Sequence, residues 1–255
     1  MLLIAKTIAA PLLIWMLTVI GRRFGPGVSG LLMGIPLITG PVSFFSAVEQ
    51  GSDFAAKAAV ANLVGQVSTC LFCFAFAKAS PGWNSGLSAV AGVGTFLTAT
   101  VFWDRFEWEL WPASILLLAT IAALPFFMPD HPHINKPVAV PRWDLPLRMA
   151  ISAAFVLVMT QAAGMIGPQM SGLIAPFPTF VLILAVFTHR EAGGEAAANL
   201  ARGVVLGSLS FAAFFLCVVL GLQSLGLWTY PVAALASVGV SAILYTRRRS
   251  GPAQN

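Results

Sequence analysis

The sequence predicts an all-α polytopic membrane protein of about nine transmembrane helices, arranged as two inverted four-helix repeats joined by one linking helix. Three observations carry this expectation. Apolar residues make up 58% of the 255 and charged residues 9%, a balance that cannot cover a water-soluble globule of this length with polar surface. Apolar runs recur at about 2–20, 31–48, 55–79, 86–103, 110–128, 146–165, 173–188, 198–222 and 228–246, and roughly 20 apolar residues cross a bilayer as a helix. Finally, Gly25-Pro26-Gly27-Val28-Ser29-Gly30-Leu31 returns without a gap as Gly167-Pro168-Gln169-Met170-Ser171-Gly172-Leu173. At the same offset of 142 residues, Pro36 falls on Pro178, Phe45 on Phe187, Glu49 on Glu191, Gly51 on Gly193, Gly65 on Gly207 and Ser68 on Ser210. One alignment held that long marks an internal repeat. An odd number of predicted spans separates the copies, so the second lies upside down relative to the first, as in many secondary transporters.

The first run begins like a signal peptide but reaches Ile20 without a small-residue cleavage site. It also has a repeat partner near 147–163, so it is read as a retained span. Pro36 and Pro41 interrupt the second run, as Pro176 and Pro178 interrupt the seventh. A proline inside a span removes an amide donor and clashes with the preceding turn, so both are expected to be kinked or broken. The third and eighth runs are alanine-rich and follow Glu49-Gln50-Gly51-Ser52-Asp53 and Glu191-Ala192-Gly193-Gly194-Glu195. The run at 110–128 has no counterpart and serves as the linking helix. The proline-rich stretch 129–146 reads as a linker; its Asp130-His131-Pro132-His133 lacks a further ligand, and no metal site is expected there. The resulting units are 1–104 (first repeat), 105–145 (linking helix and loop) and 146–255 (second repeat and basic tail). None of these runs shows the alternation of a barrel strand.

The net charge of +5 does not imply nucleic acid, because Lys and Arg fall between apolar runs rather than along one face. Placing Arg22, Arg23, Lys78, Lys136, Arg142, Arg148, Arg190, Arg202, Arg247, Arg248 and Arg249 on one side leaves Lys6, Lys57 and Arg105 on the other. That asymmetry predicts nine spans with the N-terminus outside and the C-terminus cytoplasmic; compactness and the lack of eukaryotic sorting signals point to a bacterial-type inner (plasma) membrane. Trp103, Trp108 and Trp111 mark an outer turn, Trp228 another outer boundary, and Trp83 and Trp143 the opposite side; Trp15 is expected between helices. Cys70, Cys73 and Cys217 lie in apolar runs and form no disulfide framework, so buried packing is expected of them.

The repeated Gly-Pro-x-x-Ser-Gly-Leu element, with the prolines that follow it, is the strongest candidate for function. Broken helices leave backbone groups inside the membrane, tolerated only where protein or a hydrated cavity satisfies them, and a half-helix N-terminus offers partial positive charge. Ser29, Gly30, Pro36, Ser171, Gly172 and Pro178 are therefore candidate substrate-site residues; the structural alternative is close helix packing. Asn62 and Gln66 lie one turn apart, as do Asn199 and Arg202, and polar groups in apolar helices face a partner or a wet cavity. Glu49 and Glu191, the identical acidic pair of the repeat, are candidates for proton or cation coupling, with helix-start capping as the structural alternative. Ala61, Gly65 and Ser68, matched by Gly203, Gly207 and Ser210, read as a packing stripe. His189-Arg190-Glu191 reads as a solvated helix end.

No metalloprotease, serine-hydrolase, phosphate-loop or dinucleotide motif is present. The sequence thus predicts a secondary transporter of a small solute by alternating access, not an enzyme, with a proton-coupled cycle as one form of it. It needs no cofactor, and its partners are membrane lipid and a small-molecule substrate; a homo-oligomer is left open. The alternatives are a channel, or a membrane-embedded enzyme or flippase acting on a lipid carrier through His189, Arg190 and Arg202.

Overall fold

The computed structural model describes residues 2–37, 39–129, 146–147, 149–151, 154 and 176–249. Among these residues the regular elements are all helices. Four helical stretches are long and apolar enough to cross a membrane: Ser52–Ala79, Ser85–Trp103, Leu110–Phe127 and Gly194–Arg247. The chain is therefore an all-α protein suited to a membrane.

The elements are α1 (Leu2–Phe24), α2 (Pro26–Leu32), α3 (Thr39–Gln50), α4 (Ser52–Ala79), α5 (Ser85–Trp103), α6 (Leu110–Phe127), α7 (Thr179–Ala192), α8 (Gly194–Leu225), a short 3-10 turn (Gly226–Trp228) and α9 (Thr229–Arg249). Pro26 opens α2 at a position whose amide has no helical partner in any case. Asn84 caps α5, its side chain accepting from the Leu87 amide at 2.9 Å. The run predicted at 31–48 begins five residues earlier, at Pro26, and is broken: α2 ends at Leu32 and α3 starts at Thr39. Pro41 falls in the first turn of α3, where a proline is tolerated.

α3 ends at Gln50 and α4 starts at Ser52; α7 ends at Ala192 and α8 starts at Gly194. Both boundaries differ by 142 residues, as in the sequence repeat. The single joint residues, Gly51 and Gly193, share φ/ψ of 88°/167° and 90°/170°, a region open essentially to glycine alone.

α4 and α8 form the centre. Both are largely buried, they cross each other, and α5, α6, α2 and α9 pack around them. α8 and α9 form an antiparallel hairpin folded at Gly226, with Ser210 and Ser241 hydrogen-bonded at 2.7 Å. α4 and α5 form the other hairpin. Ser80 at the end of α4 donates to the carbonyl of Gly194 at the start of α8, at 2.9 Å, so these two helices run in opposite directions. Residues 104–109 turn the chain from α5 into α6, where Trp108 Nε1 donates to the Trp103 carbonyl at 3.0 Å and the two rings meet edge to face at 5.5 Å. One end of the bundle thus holds the ends of α1, α4, α6, α7 and α9, with Arg22, Lys78 and Arg190. The other holds the aromatic turn and Arg105.

The small-residue stripe is a packing device. A Cβ at Gly203 or Gly207 would overlap the carbonyl of Gly27 or Leu31, and one at Gly30 the carbonyl of Leu200; α2 lies backbone to backbone on α8. Trp15 differs from expectation: it is 48% exposed, on a face of α1 that no described helix covers. Cys70 and Cys73 are buried free thiols and Cys217 a half-buried one.

Candidate functional site

The same turn occurs at the matched prolines 36 and 178. In the first, the Leu37 amide donates to the Ile35 carbonyl at 2.8 Å; in the second, the Thr179 amide donates to the Phe177 carbonyl at 2.7 Å. Each bond spans a proline, Pro36 or Pro178. Pro178 has φ −79° and ψ 54°, the geometry of an inverse γ-turn. Helix resumes identically, with Gly40 donating to the Pro36 carbonyl at 2.9 Å and Leu182 to the Pro178 carbonyl at 2.7 Å. Both prolines are buried. Proline's fixed φ and missing amide bar a helix from running through this position, and its carbonyl accepts the first hydrogen bond of the helix that follows.

Both turns lie against the middles of the long helices. Gly34 abuts the backbone of Gly207, and Thr69 donates to the Pro176 carbonyl at 2.7 Å. Between them, Gln66 Nε2 donates to Ser208 Oγ at 2.8 Å, and Ser208 donates on to the Val204 carbonyl at 2.9 Å. Cys70 Sγ approaches the same hydroxyl at 3.5 Å. Gln66 and Ser208 are 142 residues apart: each is the other's repeat counterpart. Both sit 14 residues after the start of their helices, roughly 20 Å along at 1.5 Å per residue. This is close to the middle of both helices. Each buried polar group here would cost more unpaired than paired, which is why the layer is knit by hydrogen bonds.

One group escapes. Asn62, one turn from Gln66 and 6% exposed, donates to the Ala58 carbonyl at 2.9 Å, while its Oδ1 has no hydrogen-bond partner among the described residues. Ser68 Oγ is also unpaired there. Its counterpart Ser210 reaches Ser241, but the position matching Ser241 is Ala99, which has no hydroxyl.

The remaining candidates are spread out. Ser29 is buried and donates to the Leu17 carbonyl at 2.9 Å, and Gly30 presses on α8; both join helices. Ser171 and Gly172 lie outside the described residues. Asn199 is buried on α8 near one end, and Arg202 faces α6 rather than the Gln66 layer. Glu49 is exposed in the last turn of α3 and Glu191 is in the last turn of α7. The acids that begin helices are Asp53 and Glu195, so helix-start capping does not describe the matched pair. A carboxylate near a helix C-terminus is disfavoured by the dipole, and Glu191 is compensated by Arg22 at 3.2 Å. The position that would serve Glu49 in the same way is Gly164, the repeat counterpart of Arg22, and it carries no charge.

His189 and Arg190, expected as a solvated end, instead hold the α4–α5 turn. His189 Nε2 lies 2.9 Å from the Ser80 carbonyl and 3.0 Å from that of Trp83. Both partners are acceptors, so Nε2 carries the proton. Arg190 Nε donates to Ser85 Oγ at 3.3 Å. Tyr230 was not anticipated either: its hydroxyl donates to the Ser43 carbonyl at 2.8 Å, with Phe44 edge-on at 5.3 Å. Its position after the Trp228 boundary was legible, but its partner on α3 was not. Comparison with known protein families, curated proteins and solved structures finds no match.

Proposed function

We propose that the chain is a secondary transporter of a small solute, working by alternating access between two inverted four-span copies. The observation that carries this reading is the pairing of Gln66 with its own counterpart Ser208, beside two equivalent proline turns. A residue meets its counterpart only near a symmetry axis, and an axis through the crossing of antiparallel helices lies in the membrane plane, as inverted repeats require. Interrupted helices at that depth supply carbonyls and helix N-termini to a passenger. Asn62 Oδ1 offers a buried acceptor in the same layer. Nine spans, an external N-terminus and a cytoplasmic end carrying Arg22, Lys78 and Arg190 complete the proposal.

The test is uptake into proteoliposomes of the purified protein, screened over small anions, cations and neutral metabolites. Gln66→Leu is expected to cut uptake at least tenfold while the protein stays monodisperse; normal uptake by that variant would remove the midplane site. Coupling is proposed for Glu49 and Glu191. Replacing both with Gln is expected to flatten the dependence of uptake on external pH, and an unchanged profile would discard coupling while leaving the carrier reading intact.

A further inference from the structure

A groove of about 650 Å³ runs between α6 and α8, away from the Gln66 layer. On α8 its wall is Arg202, Leu206 and Leu209, spaced as one helical face; on α6 it is Leu118, Ile121, Ala122, Pro125 and Phe126, again one face, with Met128 at the end. Arg202 is the single charged residue among the described residues of this lining. Its size is within the range of ~300–1,000 Å³ typical of ligand sites.

The order of chemistry along the groove identifies an occupant. α6 and α8 run in opposite directions, so Arg202, eight residues into α8, shares its level with the end of α6 at Met128. Leu209 lies about 10 Å further towards the middle of the bundle. A cation level with the end of α6, followed by apolar wall towards the centre, is the order of a phospholipid, headgroup outermost and acyl chain inward. A small soluble anion has no use for the apolar wall, and a neutral apolar molecule none for the guanidinium. With five donors in a planar fork, Arg202 can keep a contact within the protein and still bind a phosphate in bidentate fashion. Basic pockets between spans on the cytoplasmic side bind anionic headgroups on the same grounds.

We propose that this groove is a binding site for one anionic phospholipid of the cytoplasmic leaflet, its phosphate on Arg202 and an acyl chain against Leu206, Leu209, Ile121 and Ala122. The site is independent of solute transport.

Native mass spectrometry of the full chain, delipidated in mild detergent and supplied with phosphatidylglycerol or phosphatidylcholine at equal concentration, tests it. Wild type is expected to retain one phosphatidylglycerol at least fivefold more than phosphatidylcholine. Arg202→Gln should abolish that preference, Arg202→Lys should keep part of it, and Ala122→Phe, which fills the groove, should reduce retention of both lipids. Equal retention of the two lipids by wild type, an unchanged preference in Arg202→Gln, or displacement of the lipid by millimolar inorganic phosphate alone would overturn the proposal. The wild-type comparison stands even if a variant fails to fold, and no uptake enters the measurement, so its failure is separate from failure of the transporter reading.

Discussion

Single residues decide how closely the helices approach and which polar groups meet. Gly207 has no room for a methyl group, because the carbonyl of Leu31 occupies the place of a Cβ. Gly207→Ala is therefore expected to destabilise the folded protein by about 1–3 kcal/mol, as overpacking does, measured by denaturant titration in detergent. The glycine stripe was legible as packing, since small residues at helical spacing permit backbone contact. The helix that uses it was not: nothing in the sequence assigns α2 rather than α5 to that face. Gln66 was legible as a polar group in an apolar helix, but its bond to Ser208 had a signal that the repeat alignment already contained. The two positions are matched at the 142-residue offset. Ser29 and Arg202 show the opposite case. Residue type marks both as notable, yet one is spent on the Leu17 carbonyl and the other faces the α6 groove.

At the scale of elements, chain breaks come from residues whose backbone chemistry forbids helix. Proline at 36 and 178 and glycine at 51 and 193 impose the same turns in both copies. Gly193→Ala is expected to cost about 1–3 kcal/mol from φ/ψ strain, and Gly51→Ala a similar amount, by the same titration. Proline breaks are a different matter. Pro178→Ala restores an amide and frees φ at a turn that proline fits, so it should lower stability by no more than about 1 kcal/mol while lowering uptake, if the break serves the solute. The helix ends carry a further asymmetry. His189, Arg190 and Glu191 tie α7 to the α4–α5 turn and to α1, whereas the matching Ala47, Val48 and Glu49 lack two of the three polar groups. His189→Ala is expected to speed hydrogen exchange of amides in residues 80–85, as local opening becomes easier. Arg22→Ala should change stability by no more than about 1 kcal/mol, because the pair with Glu191 is partly solvated.

For the whole molecule, the distribution of basic residues and the direction of the helices make one joint prediction. A reporter fused after Asn255 is expected to be active in the cytoplasm, and one inserted at 104–109, within the aromatic turn, outside it. Reversal of either would refute the nine-span map without touching the helical fold. Described contacts agree with the charge count at the level of bundle ends: Arg22, Lys78 and Arg190 share one end, Arg105 the other.

Composition, apolar run length and proline position determined, from sequence alone, a helical chain suited to a membrane with an interrupted second run. These are local properties, set by the transfer of apolar side chains from water and by the backbone limits of individual residues. The repeat of 142 residues was likewise visible without coordinates. Only the tertiary structure decided that Gln66 meets Ser208, that α2 rather than another helix lies on the glycine stripe of α8, that Glu191 has Arg22 while Glu49 ends a helix exposed, and that Arg202 opens onto a groove. The physical reason is that a helix with apolar residues on every face carries little information about which face meets which neighbour. That choice is made by close packing and by the pairing of a few buried polar groups, both of which depend on residues far apart in the chain.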